Sequence, residues 1–145
     1  MSGDFSALNA AYLSSNIDGL GNEIITISDS SIDASFLNTL DEKTTGIINA
    51  STVTNLSGDF SALNTAYESS TISGLGDETI TISDTSIDSS VINTLDEKTT
   101  GIIDASAVTS MSGIGSDIVI AYSSSGINGL GDETITISDL SLIHI

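Results

Sequence analysis

Cysteine, proline, tryptophan and arginine are missing from this 145-residue chain, and histidine occurs once. Without cysteine there is no disulfide framework, no thiolate nucleophile and no Cys-based zinc site. Two lysines stand against 20 acidic residues, a formal net charge of -18. Nucleic-acid binding, which needs Lys and Arg to displace phosphate counterions, is excluded on that balance, as is attraction to an anionic membrane surface. No apolar run approaches the ~20 residues of a membrane span, so no membrane insertion is expected. The start, Met1-Ser2-Gly3-Asp4, lacks the basic and apolar regions of a signal peptide. Aromatics are scarce at 4%, so any core must be aliphatic.

Ser, Thr, Ile, Leu, Val and Asp fill the space these absences leave. The mean hydropathy is +0.25, and the regular placement of Ile, Leu and Val argues against the disorder that acidity alone suggests. The chain also repeats itself. Ser2-Gly3-Asp4-Phe5-Ser6-Ala7-Leu8-Asn9 returns as Ser57-Gly58-Asp59-Phe60-Ser61-Ala62-Leu63-Asn64, so position 57 matches position 2. Residues 2–56 form a first repeat, 57–111 a second and 112–139 a partial third, followed by an unpatterned tail at 140–145 that carries His144. A weaker internal match, Asn64-Thr65-Ala66-Tyr67-Glu68 with Asn93-Thr94-Leu95-Asp96-Glu97, divides the repeat into two unequal coils. Asn38, Asn64 and Asn93 mark the same point in successive coils, the shorter step coming first.

Local pattern gives each coil its content. Thr79-Ile80-Thr81-Ile82-Ser83 alternates apolar and hydroxyl residues, a strand signal. Residues 88–98 place Val91, Ile92 and Leu95 on one helical face, capped by Asp88 or Ser86, with Lys98 at the C-terminal end and Gly101 as the stop. Residues 59–68 put Phe60, Leu63, Ala66 and Tyr67 on one stripe, capped by Ser57 or Asp59. Ile102–Asp104 and Ala107–Thr109 read as short extended pieces, and Ser73–Gly76 as a turn. The expected architecture is an α/β solenoid of about five coils, strand then short helix, with a parallel β ladder. The alternative is an all-β parallel β-helix in which the helical stretches are loops. Core positions are Leu8, Ile27, Leu40, Leu63, Ile82, Leu95 and Ile137.

The stretches GLGDETITISDTSID (74–88), NTLDEKTTGIIDASAVT (93–109) and SGDFSALNTAYESS (57–70) resemble the tandem repeats of very large surface proteins of marine cyanobacteria. That group includes the giant cell-surface protein associated with swimming motility, and similar repeats occur in long adhesin-like and RTX-like proteins. The resemblance spans residues 2–139. It implies an extracellular or cell-surface acidic stacking module with no assigned active site.

Candidate chemistry is sparse. Gly74-Leu75-Gly76-Asp77-Glu78 and Gly129-Leu130-Gly131-Asp132-Glu133 share with the RTX nonapeptide an alternation of Gly and acid before an apolar strand residue. Asp77, Glu78, Asp132 and Glu133 are therefore the calcium candidates, since calcium takes six or more oxygens from such turns. The paired glycine of that motif is missing, and the first copy has Asn22. Against calcium stands the plain reading, glycines making a tight turn and acids in solvent. Asp41-Glu42 and Asp96-Glu97 are paired carboxylates, but a pair that recurs beside a lysine reads as solvated surface, not as a glycosidase dyad. Thr26, Thr81 and Thr136, with Ser28, Ser83 and Ser138 and Asp29, Asp84 and Asp139, occupy equivalent strand positions. Such hydroxyl arrays can bind ordered water or a surface glycan; more simply they are the solvent face of a strand. No catalytic set is present. The expected function is a non-catalytic structural repeat module, a stalk, spacer or coat of an extracellular surface or filament protein. The alternatives are a self-assembling filament subunit joined head to tail through the solenoid ends, and a calcium-dependent adhesin segment.

Overall fold

In the computed structural model, which describes residues 1–139, the alternating and stripe patterns become mixed α/β structure. Each helix follows an extended segment that ends in a capping residue. β1 (Ser2–Gly3) leads into α1 (Phe5–Leu13), and β3 (Ser31–Asp33) into α2 (Ala34–Asp41). β5 (Asn55–Gly58) leads into α3 (Phe60–Glu68), β8 (Ser86–Asp88) into α4 (Ser89–Asp96) and β10 (Ser110–Gly113) into α5 (Gly115–Ser123). The remaining strands are β2 (Ile25–Ile27), β4 (Ile48–Asn49), β6 (Ile72–Ser73), β7 (Thr79–Ile82), β9 (Ile103–Asp104), β11 (Ile127–Asn128) and β12 (Thr134–Ile137). Five α-helices of eight or nine residues remove the all-β alternative. The helices start at Phe5, Ala34, Phe60, Ser89 and Gly115, so longer and shorter steps alternate as the two unequal coils require.

Four of the helices begin on an aspartate whose carboxylate accepts an amide proton of the first turn: Asp4, Asp33, Asp59 and Asp88. This satisfies one of the unpaired donors that every helix N-terminus exposes. α4 ends at Asp96 with Glu97 as its C-cap, so Gly101 does not stop it. Gly101 serves a different purpose: a Cβ there would lie 2.1 Å from the Glu78 carbonyl oxygen. Ala107–Thr109 is likewise not a strand; it belongs to a turn region that buries Val108, and the extended structure begins one position later, at Ser110.

All strand pairs are parallel and fall into three sheets, ordered β1-β2-β4-β6, β3-β5-β7-β9-β11 and β8-β10-β12. The register places Ser2 opposite Thr26, Ile25 opposite Ile48, Ile48 opposite Ile72, Leu56 opposite Ile80, Ile80 opposite Ile103 and Met111 opposite Ile135. Two such steps carry Ile25 to Ile48 and then to Ile72, whereas the sequence repeat carries Ile25 to Ile80. Pairing therefore falls short of the repeat, and equivalent strands of successive repeats land in different sheets. This corrects the hydroxyl arrays: Thr26, Thr81 and Thr136 lie in three separate sheets and do not stack. The polar row that forms in the central sheet runs Asp33, Ser57, Thr81, Asp104, Asn128. Beside it runs the apolar row Ile32, Leu56, Ile80, Ile103, Ile127.

One continuous aliphatic cluster joins all five helices with strands β2 to β11, from Leu8 to Ile127. Leu8, Ile27, Leu40, Leu63, Ile82 and Leu95 are buried as expected. Fully burying each such side chain contributes about 1.5–3 kcal/mol. Ile137 departs from the expectation: it is 43% exposed, whereas its equivalents Ile27 and Ile82 are at 0% and 1%. Among the described residues no strand covers the outer edge of β12. The tail at 140–145, His144 included, lies outside the described residues. Among those described, no helix is long and apolar enough to cross a membrane.

Candidate functional site

The sequence places a tyrosine at a fixed spacing before a glutamate in every copy: Tyr12 and Glu23, Tyr67 and Glu78, Tyr122 and Glu133. Each tyrosine sits near the C-terminal end of the first helix of its repeat, and each glutamate follows the glycine turn that returns the chain to the next strand. In the structure the phenol hydroxyl donates to Oε1 of the glutamate in all three copies. The other oxygen, Oε2, accepts two backbone N–H groups of the turn. For Glu78 these are Gly76 at 2.8 Å and Asp77 at 3.2 Å; for Glu133, Gly131 at 2.8 Å and Asp132 at 3.0 Å; for Glu23, Gly21 at 2.8 Å and Asn22 at 3.2 Å. Gly21, Gly76 and Gly131 have φ of 133°, 135° and 145°, a positive-φ backbone that disfavours side chains and turns successive amides toward one carboxylate.

A second loop grips the same turn from outside. Thr99 is buried; its hydroxyl donates to the Glu78 carbonyl at 3.1 Å and accepts the Gly101 amide at 3.0 Å. The Thr100 amide donates to the Gly76 carbonyl at 2.8 Å. Thr44, Thr45 and Gly46 do the same around Gly21 and Glu23. Glu78, so clasped, is 1% exposed, and Glu133 is 9% exposed.

Electrostatics follow this geometry. Burial pushes the Glu133 carboxyl up, but the Tyr122 hydroxyl and the amides of Gly131 and Asp132 outweigh it and leave the group below its ordinary value. Burial likewise raises Glu23, and its backbone donors, Gly21 and Asn22 among them, bring it below. Tyr122 is pushed up to about 12 by burial and by the Glu133 carboxylate it serves. The result is an ionised carboxylate held in the wall of the fold by neutral donors.

The four calcium candidates are thus split by the structure. Glu78 and Glu133 turn inward and spend both oxygens on the tyrosine and the turn. Asp77 and Asp132 are exposed, and their amides point at the neighbouring glutamate. Among the described residues no three acidic, His or Cys side chains gather as a metal site would require. The Asp41-Glu42 and Asp96-Glu97 pairs are divided between two structural tasks. Asp41 accepts the hydroxyls of Ser69 at 2.9 Å and Thr71 at 2.5 Å, and Asp96 accepts that of Ser124 at 2.7 Å, while Glu42 and Glu97 cap helix ends. Lys98 pairs with the exposed Glu68 at 3.5 Å.

Asp29, Asp84 and Asp139 have a use that strand periodicity does not suggest. Each reaches the N-terminus of a helix that starts one layer earlier: Asp29 to the Phe5 amide at 2.8 Å, Asp84 to the Phe60 amide at 2.7 Å and Asp139 to the Gly115 amide at 2.9 Å. Each first helix thereby gains a cap from the next layer of chain. A groove with aromatic walls, about 400 Å³, lies beside the first of these caps, where the rings of Phe5 and Phe36 stack at 4.3 Å. The carboxylates of Glu23, Glu78, Glu133, Asp29, Asp84 and Asp139 all accept hydrogen bonds that hold one segment of the chain to another. No family model matches the chain, and neither a curated protein nor a solved structure matches it.

Proposed function

We propose that the chain is a non-catalytic structural repeat module, a segment of an α/β solenoid that serves as stalk, spacer or coat in an extracellular surface or filament protein. The observation that carries this reading is the parallel pairing of strands at a near-constant step, Ile25 with Ile48 and Leu56 with Ile80, over a single core. Each layer of chain covers the apolar face of the one before it, so stability comes from nearest-neighbour contacts and the array can extend without a new core. Glu23, Glu78 and Glu133 lock turns and Asp29, Asp84 and Asp139 cap helices, and the rest of the -18 charge keeps neighbouring surfaces apart in solvent. The resemblance to tandem repeats of cyanobacterial surface proteins supports the extracellular setting.

Small-angle scattering tests the reading. Duplicating residues 57–111 in tandem should lengthen the particle by one repeat at constant cross-section; a particle that instead grows evenly in all directions would sink it. Leu63→Asp, at a fully buried position, should unfold the chain, and an unchanged melting profile would contradict the stacked core.

A further inference from the structure

The fold fixes a glycine at one point of every copy and leaves the residue before it free to vary. Gly19, Gly74 and Gly129 have φ of 83°, 86° and 86°, a backbone that side chains disfavour. A Cβ on Gly74 would also lie 2.7 Å from the Ser51 amide nitrogen, and one on Gly129 would lie 2.6 Å from that of Ser106. The preceding residue differs among the three copies: Asp18, Ser73 and Asn128. The third copy therefore carries an Asn-Gly pair, and of the nine asparagines in the chain only Asn128 precedes a glycine.

Asn128 is exposed, and among the described residues its side chain has no hydrogen-bond partner. By contrast, Asn38 and Asn93 donate to the carbonyls of Ala62 and Asp117, both at 2.9 Å, and Asn49 accepts the Ser51 amide at 3.0 Å. The Gly129 amide likewise donates to no acceptor among the described residues. The main chain at this point is held by one bond from the Ala105 amide to the Asn128 carbonyl, at 2.8 Å. β11 is two residues long and outermost in its sheet. So is β6 in the preceding copy, beyond which the chain continues, and the outer position thus belongs to the pairing pattern. A short strand held from one side only opens locally at small cost.

We infer that Asn128-Gly129 is a self-modifying site whose co-reactant is water. Once β11 opens, the extended Asn128 backbone can rotate and bring the Gly129 nitrogen onto Cγ. The amide gives its proton to solvent, and its nitrogen bonds to Cγ. The bond from Cγ to Nδ2 breaks, and ammonia leaves after taking up a proton. A five-membered succinimide remains, which water opens. Cleavage between the ring nitrogen and Cγ leaves aspartate; cleavage between that nitrogen and the main-chain carbonyl carbon leaves isoaspartate. In sum, one side-chain amide and one water become one carboxylic acid and one ammonia, with no oxidation. The glycine favours the step because no Cβ crowds the attacking nitrogen. The other copies lack this reactivity: Ser73 has no electrophilic carbon in its side chain, and the Asp18 carboxylate resists attack by an amide. The product carries one more negative charge. As isoaspartate it also has one more backbone methylene, just ahead of the turn whose Gly131 amide holds Glu133.

Mass spectrometry of the folded 145-residue chain, incubated at pH 7 and at pH 9 in water labelled with heavy oxygen, is the test. Peptides cut at acidic residues should show the mass change from asparagine to aspartate at residue 128 ahead of every other asparagine. The change should be faster at pH 9, should take up one labelled oxygen, and should include isoaspartate, detected with an isoaspartyl methyltransferase. Asn128→Ser, which installs the second copy's residue, should abolish it. No change at residue 128, another asparagine converting as fast, or a change without label would overturn the inference. So would a conversion that begins only after the circular dichroism of the folded chain is lost, since local opening of β11 would then not be its route.

Discussion

The buried glutamates show how a single residue type is reassigned by its neighbours. In the sequence, Glu78 and Glu133 stand in an acidic glycine turn and read as ligands or as solvated acids; in the fold they are anchors fed by a tyrosine and two amides. The signal was present in the constant spacing of Tyr and Glu, which holds in all three copies while the residue between the glycine and the glutamate changes from Asn22 to Asp77. It was illegible because the partners lie on different elements, and periodicity reports faces within one element. A hydrogen bond to a charged acceptor is worth about 1.5–3 kcal/mol, and solvent screening at Tyr122, which is 44% exposed, reduces that, so Tyr122→Phe should lower stability by about 1 kcal/mol at neutral pH. The folded state holds the Glu133 carboxyl below its ordinary value, so its contribution is present above the ordinary carboxylate range and is lost as pH falls through the lowered value. Chemical denaturation of wild type and variant should therefore differ at pH 7 and converge in acid; a gap independent of pH would sink the lock. At the alkaline end the sign reverses: Tyr122 is raised to about 12, so the stability it confers is intact below its ordinary value, about 10, and is lost as pH rises through the raised one. A second residue gives a stabilising prediction. The Ser89 hydroxyl is buried without a hydrogen-bond partner, and the first repeat has the fully buried Ala34 in its place. Removing an unsatisfied buried hydroxyl recovers about 1–3 kcal/mol of desolvation cost, so Ser89→Ala should raise the melting midpoint; a lower midpoint would contradict it.

At the scale of elements, the helices were legible, as were the strand at 79–83 and the extended piece at 102–104, which fall on β7 and β9, while the other short strands were not. The capping aspartates, the apolar stripes of Ile92 with Leu95 and of Leu63 with Ala66, and the absence of glycine and proline all act locally. That is why the expected spans at 59–68 and 88–98 nearly coincide with α3 and α4. Strands as short as Ile48–Asn49 carry no period of their own. They exist because a partner in the next layer, Ile72-Ser73 in this case, offers amides and carbonyls, and Ile17-Asp18, which has no such partner here, is not a strand. The third copy lacks one of these caps. α5 begins after Ile114, which makes no side-chain cap bond, where α1 and α3 have Asp4 and Asp59. The backbone at Ile114 is already extended, with φ -75° and ψ 149°, and close to that of Asp59 at -74° and 161°. The side chain is 42% exposed, so little core is lost by replacing it. Ile114→Asp should therefore stabilise the chain by about 1 kcal/mol, the ordinary worth of an N-cap. Urea unfolding with an unchanged slope measures it, and a variant no more stable than wild type would show that Asp139 alone already satisfies this helix end.

For the whole molecule, the sequence period and the pairing period differ, and that difference shapes the fold. The match of Ser57 to Ser2 was plain in the sequence, whereas the pairing of Ser57 with Thr81 was not, because such partners are alike only in being polar. Each repeat overshoots two pairing steps, so equivalent strands move to a new sheet with every repeat, and one core binds the sheets together. Charge acts at the same scale. Two lysines against 20 acids leave repulsion across the whole surface, and the pair between Lys98 and the exposed Glu68 offsets at most about 1 kcal/mol of it. The Debye length is about 10 Å at 0.1 M salt and about 3 Å at 1 M, so added salt removes the repulsion between acids on neighbouring layers first. The turn locks are spared, since their donors are neutral and the carboxylates of Glu78 and Glu133 are buried. The melting temperature at pH 7 should therefore rise with sodium chloride over this range. It should rise less at a pH near the isoelectric value of about 4.1, where much of the charge is already gone. A melting temperature that falls with salt at pH 7 would mean that attractive surface pairs outweigh the repulsion, against the charge count and the geometry alike.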